Sequence, residues 1–368
     1  MNIIKAKSNN KTAKGSVEEI KGIFGEFEPR MVLFFASSNY EPEDISAAMK
    51  AAFPGCDVIG CSTAGEIISG EMLKGSVVAM AFNSAVLNNV KIEVIEGISE
   101  AVDVSDAFRS FESFYGKKMD EMDFRQYLGM VLVDGLTCAE ESLMENIGNK
   151  TNVFFVGGSA GDDLKFEATH VFVNGKSYNK AAVLALMDVK SGFDIIKTQS
   201  FKVLDKVLVA TKVNESAREI IEFNNEPAAV AYANALGVPV DELSSHFMSN
   251  PLGLMIDDEP YVRSPQAVDG SNVKFYCSIL EGMELSILES ANIVEETANA
   301  LQQKVEEFGK ISGLVNFNCI LRTLDLESTG QSKEYAEVFN DIPTAGFSTY
   351  GEQYLGHINQ TATMIVFK

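Results

Sequence analysis

Wholly apolar runs of strand length alternate along this chain with segments whose apolar residues return every three or four positions. Met31-Val32-Leu33-Phe34-Phe35-Ala36 reads as a strand covered on both faces, because a half-exposed strand would alternate. Pro42 then opens a helix carrying Ile45, Ala48, Met49 and Ala52, closed by Pro54-Gly55. Ser16-Val17-Glu18-Glu19 has the form of a capping box ahead of Ile20, Ile23 and Phe24. Val104, Phe108, Phe111 and Tyr115 line another amphipathic helix. Ile293, Leu301 and Val305 are the expected buried stripe of a long helix from Ser290 to Phe308, ended by Gly309. His170-Val171-Phe172-Val173, the Asn174-Gly175 turn and the strand from Ala181 predict a hairpin. A helix that starts on Pro227 and stops at Gly237 follows.

The punctuation between these elements repeats. Gly60-Cys61-Ser62-Thr63-Ala64-Gly65-Glu66 returns as Gly158-Ser159-Ala160-Gly161-Asp162 and as Gly346-Phe347-Ser348-Thr349-Tyr350-Gly351-Glu352. Before each copy come an apolar strand (Met31 to Ala36, Gly129 to Val133, Leu314 to Leu321), a helical stretch and a second strand. After each comes another strand (Val77 to Phe82, Ala181 to Met187, Thr363 to Phe367). A strand-helix-strand crossover leaves both strands parallel, with their carboxyl ends at one edge. The three polar loops are therefore expected to gather around one cavity. The fold class is α/β (mixed α+β): repeated β-α-β-β units forming layered sheets with helices outside, in two domains. The charged, Asn-rich stretch Val213 to Glu226 marks their boundary, giving 1–215 and 216–368.

Composition narrows the partners. Fifty-two acidic against 30 basic residues give a net charge of -22, which repels phosphate backbones and anionic lipid. Nucleic acid and membrane surfaces are excluded as partners on that ground. The start, Met1-Asn2-Ile3-Ile4-Lys5, has no apolar stretch behind it, and no apolar run reaches the roughly 20 residues of a spanning helix. Five scattered cysteines do not form a disulfide framework, so a cytoplasmic location is expected.

At this point the motifs resemble a known family. The Gly-Cys-Ser-Thr-Ala-Gly-Glu loop after an apolar strand is similar to the hallmark of the FIST N-terminal domain. The second half resembles the FIST C-terminal domain through Pro227 to Tyr232 before Leu236-Gly237, Asn250-Pro251-Leu252-Gly253, Val262-Arg263-Ser264-Pro265, and Asn318-Cys319-Ile320-Leu321-Arg322 with a closing Gly351-Glu352. The likeness covers roughly residues 28 to 368. It implies an intracellular sensory module that binds a small ligand, with amino acids proposed. One branch of the family senses nitric oxide through haem, and a eukaryotic branch carries an F-box. This chain shows no F-box, kinase or cyclase sequence, so its output is expected to pass to a separate signalling protein such as a histidine kinase or cyclase.

The residues themselves supply the candidate chemistry. Glycines such as Gly65 permit positive φ and close backbone approach. Ser62, Thr63, Ser159, Ser348 and Thr349 donate and accept hydrogen bonds. Glu66, Asp162 and Glu352 suit an ammonium group. Asp134 and Cys319 stand at strand ends facing the loops, as do Ser37, Ser38 and Gly135. Arg263 and Arg322 are the cations suited to gripping a carboxylate, and Cys61 is the better placed thiol. The expected ligand is an amino acid or another small carboxylate. The alternative is a haem-binding nitric-oxide sensor, in which His246 or His357 would hold haem b. A third class is a hydrolase or reactive-thiol enzyme. Gly157-Gly158-Ser159-Ala160-Gly161 matches G-x-S-x-G, but that motif needs a helix directly after the serine, and here a strand follows. No histidine pair or C-x-x-C run has metal-ligand spacing.

Overall fold

The apolar runs become the central strands of three six-stranded sheets, buried on both faces as their composition demands. The computed structural model of the chain describes residues 2–99, 101–257 and 259–368. These divide into two compact units. Unit 1 takes Met1–Thr198, Thr297–His357 and Ala362–Lys368, and unit 2 takes Gln199–Glu296 and Ile358–Thr361.

Repeat one of unit 1 runs β1 (Ile3–Ser8), α1 (Ala13–Phe24), β2 (Met31–Ser37), α2 (Pro42–Ala52), β3 (Asp57–Thr63), β4 (Glu66–Ile68), β5 (Glu71–Leu73) and β6 (Val77–Phe82). Repeat two runs β7 (Leu87–Glu96), α3 (Ser105–Tyr115), β8 (Tyr127–Val133), α4 (Glu140–Gly148), β9 (Phe155–Ser159), β10 (Val171–Val173), β11 (Lys176–Tyr178) and β12 (Ala181–Val189), followed by β13 (Phe193–Gln199). The chain then builds unit 2 from β14 (Phe201–Asn214), β15 (Glu219–Phe223), β16 (Glu226–Pro227), α5 (Ala228–Leu236), β17 (Leu252–Ile256), β18 (Glu259–Arg263), β19 (Pro265–Asp269), β20 (Asn272–Phe275) and β21 (Glu284–Ser290). Repeat three consists of α6 (Ile293–Phe308), β22 (Gly313–Cys319), α7 (Ile320–Ser328), α8 (Ser332–Glu337), β23 (Thr344–Thr349), β24 (Glu352–Gln353), β25 (His357–Ile358) and β26 (Thr361–Phe367).

Within each repeat the leading strand is parallel to the second and antiparallel to the last. This holds for β2 with β3 and β6, for β8 with β9 and β12, and for β22 with β23 and β26. The short hairpin of each repeat does not stay at home. β4 pairs with β23, β10 with β3, and β24 with β9, so every repeat completes another repeat's sheet in a closed cycle. The inner faces of the three sheets pack into one apolar core. There Phe35 meets Phe347 at 4.6 Å and Phe317 at 6.4 Å between ring centroids. Such aromatic pairs add about 0.5–1.5 kcal/mol each beyond burial.

Unit 2 is an all-antiparallel sheet in the order β18-β17-β21-β14-β15-β20-β19, with β16 beside β15. The small residues Ala228, Ala229, Ala231 and Ala233 let α5 pack closely in its core, and Tyr232 donates its hydroxyl to the Asn250 carbonyl. The motif pieces around Tyr232 and Asn250 are thereby joined.

Several sequence expectations give way to tertiary pairing. β14 and β15 pair across Val213 to Glu226, so the compact units of the fold divide elsewhere, between Thr198 and Gln199. Thr12 caps α1 by accepting the Gly15 N–H, which places Ser16 inside the helix. The Asn174-Gly175 turn joins β10 to β11, not to the strand from Ala181, which lies in another sheet. β22 ends at Cys319, and Arg322 belongs to α7. Ile23 and Val305 are exposed on helices expected to bury them.

Candidate functional site

The three loops meet, and they meet through their backbones. Ser348 N–H donates to Gly65 O at 2.8 Å and Ala64 N–H to Ser348 O at 3.2 Å. Gly161 N–H donates to Ser62 O at 3.1 Å, while Ser159 N–H donates to Gly351 O at 2.8 Å. Gly161 serves this closeness, since a Cβ there would fall 2.8 Å from the Ala64 nitrogen. Gly157 and Gly346 serve strand pairing within their own repeats: a Cβ would fall 1.7 Å from the Val131 carbonyl oxygen in the one and 2.1 Å from that of Asn316 in the other.

The polar side chains of this junction are buried and engaged with one another. Thr63 and Thr349 hold equivalent positions, and each donates its hydroxyl to the acid three residues on, Glu66 or Glu352. Glu66 also accepts the Ser76 N–H at 3.0 Å and hydroxyl at 2.5 Å, yet burial outweighs these donors and pushes its carboxyl up to about 7. Ser62 Oγ accepts the His170 N–H at 2.9 Å. Ser159 Oγ donates to Glu140 at 3.2 Å and accepts from Gln353 at 3.1 Å. No helix follows Ser159, as the sequence predicted. Burial pushes the Cys61 thiol well above its ordinary range, so it is held as the thiol.

Cys319 ends β22 and Arg322 lies on α7, which starts at Ile320. In the first turn of α7 the Arg322 side chain turns back along β22 and donates to Asn318 Oδ1 at 3.0 Å and to Thr297 at 2.9 Å. Its guanidinium sits 5.8 Å from the Tyr335 ring, and Tyr335 bridges Asn318 and Asn316. Asn318 reaches Thr323, which meets Ser348 at 2.7 Å. Where repeats one and two pack helices on sheet with apolar side chains, repeat three uses this polar network. Arg263 lies in unit 2 on β18, half-buried, with a buried Nε that has no hydrogen-bond partner among the described residues.

An open cleft of about 350 Å³ lies at the carboxyl end of β8. Asp134, Thr137, Glu167, Thr169, Asn179 and Lys180 are among its lining residues. Asp134, expected at a strand end, is fixed there by the Thr169 hydroxyl and the Lys180 N–H, both at 2.5 Å. Glu167, Asn179 and Lys180 escaped the sequence reading because they sit in turns, and only folding brings them to Asp134. A larger surface cleft of about 580 Å³ lies between α3 and the end of α4. It mixes Arg109, Lys118 and Lys150 with Glu112 and Asp120, and it holds none of the ligand-binding candidates read from sequence.

His357 is 5% exposed, its Nδ1 lies 3.2 Å from Gln353 Nε2, and a Cβ on Gly351 would fall 2.1 Å from its Cε1. A porphyrin has no space against that ring, so His357 does not fit the ligand of a haem. His246 closes the 3-10 stretch Val240–His246 of unit 2 and lines neither cleft.

A mixed α/β chain with this repeated loop defines a class, and comparison with known proteins agrees. A family model of the FIST N domain matches residues 30–226 and one of the FIST C domain matches residues 228–355. The chain belongs to the FIST family, whose domains are sensory domains of signal transduction. It is also similar to an uncharacterized protein of Methanocaldococcus jannaschii, at 24% identity over 251 residues, 63% of this chain and 48% of the relative. The chain thus spans about half the length of that relative. Among the described residues, no helix is long and apolar enough to cross a membrane.

Proposed function

We propose that this chain senses an amino acid or another small carboxylate in the cytoplasm. Occupancy would be passed to a separate signalling protein such as a histidine kinase or cyclase. The observation that carries the reading is the cleft at Asp134. Asp134, Glu167 and Lys180 are among the residues that line its volume of about 350 Å³, at the edge where crossover sheets bind ligands. A zwitterion satisfies both signs at once: its ammonium faces the acids and its carboxylate faces the lysine.

Calorimetry against the proteinogenic amino acids and small dicarboxylates tests this. Glu167 and Lys180 are exposed, so Glu167→Gln and Lys180→Ala leave the fold intact. Each is expected to weaken binding about tenfold, the effect of losing one charge-assisted contact. Undiminished affinity in both variants would remove the cleft from the site. Arg322→Ala is an unsuitable probe, because Arg322 anchors the helix layer of repeat three. A Soret band on adding haemin, with no heat from any amino acid, would instead support the haem reading.

A further inference from the structure

The cleft exists because repeat two departs from the other two. β3 ends at Thr63 and β4 begins at Glu66; β23 ends at Thr349 and β24 begins at Glu352. In repeat two β9 ends at Ser159, yet β10 begins only at Val171. The added length forms a strap from Asp162 to Thr169. Its far end, Glu167, Ala168 and Thr169, lines the cleft.

The near end is held by all three repeats. Asp162 accepts the N–H groups of Phe166 at 2.9 Å, Glu167 at 2.7 Å and Ala168 at 3.0 Å, and it also accepts the hydroxyl of Tyr350 from repeat three. The Tyr350 oxygen in turn accepts the Leu164 N–H at 2.8 Å, and its ring stacks on Phe166 at 5.1 Å. From repeat one, Ser38 donates to Asp163 at 2.8 Å and accepts from Lys165 at 3.1 Å. Asp163, Leu164 and Phe166 are held at φ 56°, 64° and 54°. Residues with a Cβ take that conformation only where their surroundings impose it. Leu164 and Phe166 nevertheless stay exposed. Such a segment keeps its shape by its polar fastenings and by one ring stack.

We infer that Asp162 to Thr169 is a ligand-responsive strap, buckled by the Asp162–Tyr350 hydrogen bond, through which occupancy of the cleft reaches the junction of the three loops. The inference rests on the reading of the cleft given above. Glu167, whose N–H Asp162 accepts, takes its lining position in the buckled strap, so a ligand that touches it favours the buckled state. By linkage, loosening the buckle weakens the ligand by the same factor.

The test has two arms and uses the whole chain. In the ligand-free arm, amide hydrogen exchange at Phe166, Glu167 and Ala168 is compared between the parent, Tyr350→Phe and Phe166→Ala. Tyr350→Phe keeps the ring and removes only the hydroxyl, so exchange at those amides should quicken about tenfold while β9 is unchanged. Phe166 is exposed, and its replacement removes the stack in a protein that still folds. In the second arm each L-amino acid is supplied singly. One that binds should slow the same amides in the parent and bind Tyr350→Phe about tenfold more weakly. Binding that leaves strap exchange and the Tyr350→Phe affinity untouched overturns the strap and spares the ligand reading. If neither an amino acid nor a small dicarboxylate supplied in the same way binds, the ligand reading falls and the ligand-free arm still decides the buckle: exchange unmoved by both variants overturns it.

Discussion

Glu66, the first residue of the hairpin that repeat one sends away, stands opposite Phe347 in the register of β4 on β23. The exchange of hairpins thus sets a carboxyl in a site where its proton is held. Its folded value of about 7 lies above the ordinary 4.5. The native state therefore holds a proton that the unfolded chain has released between those values. Stability from this group is full below about pH 4.5 and is lost as pH rises to about 7, on the order of 3 kcal/mol in all.

Glu66→Gln removes that proton linkage while keeping an oxygen to accept from Ser76. The variant should be more stable than the parent near pH 8, and its unfolding free energy should vary less between about pH 5 and 8. Denaturant titrations at the two pH values check it. Equal pH dependence in the two proteins would show that Glu66 is ionised in the fold.

Gly157→Ala should fail to fold, or lose more than about 3 kcal/mol, because the new methyl would press on the Val131 carbonyl. Gly55→Ala meets nothing within 4 Å and is the neutral control. Thermal unfolding of the pair separates close approach from a general intolerance of side chains.

Of the five thiols, Cys138 is exposed, whereas Cys56, Cys61, Cys277 and Cys319 are buried. Burial also pushes Cys56 up to about 11. Native protein treated with iodoacetamide should be modified once, at Cys138, with the rest reacting only after unfolding. Rapid labelling of Cys61, read by peptide mass, would contradict its enclosure and revive a reactive-thiol role.

Tyr335→Phe deletes a hydroxyl that links Asn316 and Asn318 and leaves those amides short of a buried partner. A loss of about 1–3 kcal/mol is expected. The affinity of any ligand at the Asp134 cleft should not move, and a parallel loss there would place the polar network in the binding site.

Much of the secondary structure was legible along the chain. Met31 to Ala36 is a strand because nothing in it tolerates water, and α5 begins after Pro227 and ends at Gly237 as those residues dictate. The threefold copy and the meeting of its loops followed from crossover geometry, but the cavity expected between them did not: their side chains are buried and bonded to one another, and the cleft at Asp134 is lined by none of the loop residues. The misreadings share one cause. A capping box at Ser16, a hairpin from Asn174-Gly175 to the strand at Ala181 and a strand running through to Leu321 were each judged from nearby residues. Thr12, β11 and the turn into α7 decided otherwise.

The sequence alone determined the family, the repeated unit and the residues that make the junction, because apolar periodicity and loop spelling are local properties. Only the tertiary structure decided what those residues face. Hairpins exchanged between repeats turn the Glu66, Asp162 and Glu352 loops against one another, while Glu167, Asn179 and Lys180 reach Asp134 from turns with no common pattern. Pairing across distant segments sets which polar group is enclosed and which is left open, and no short stretch of chain encodes that choice.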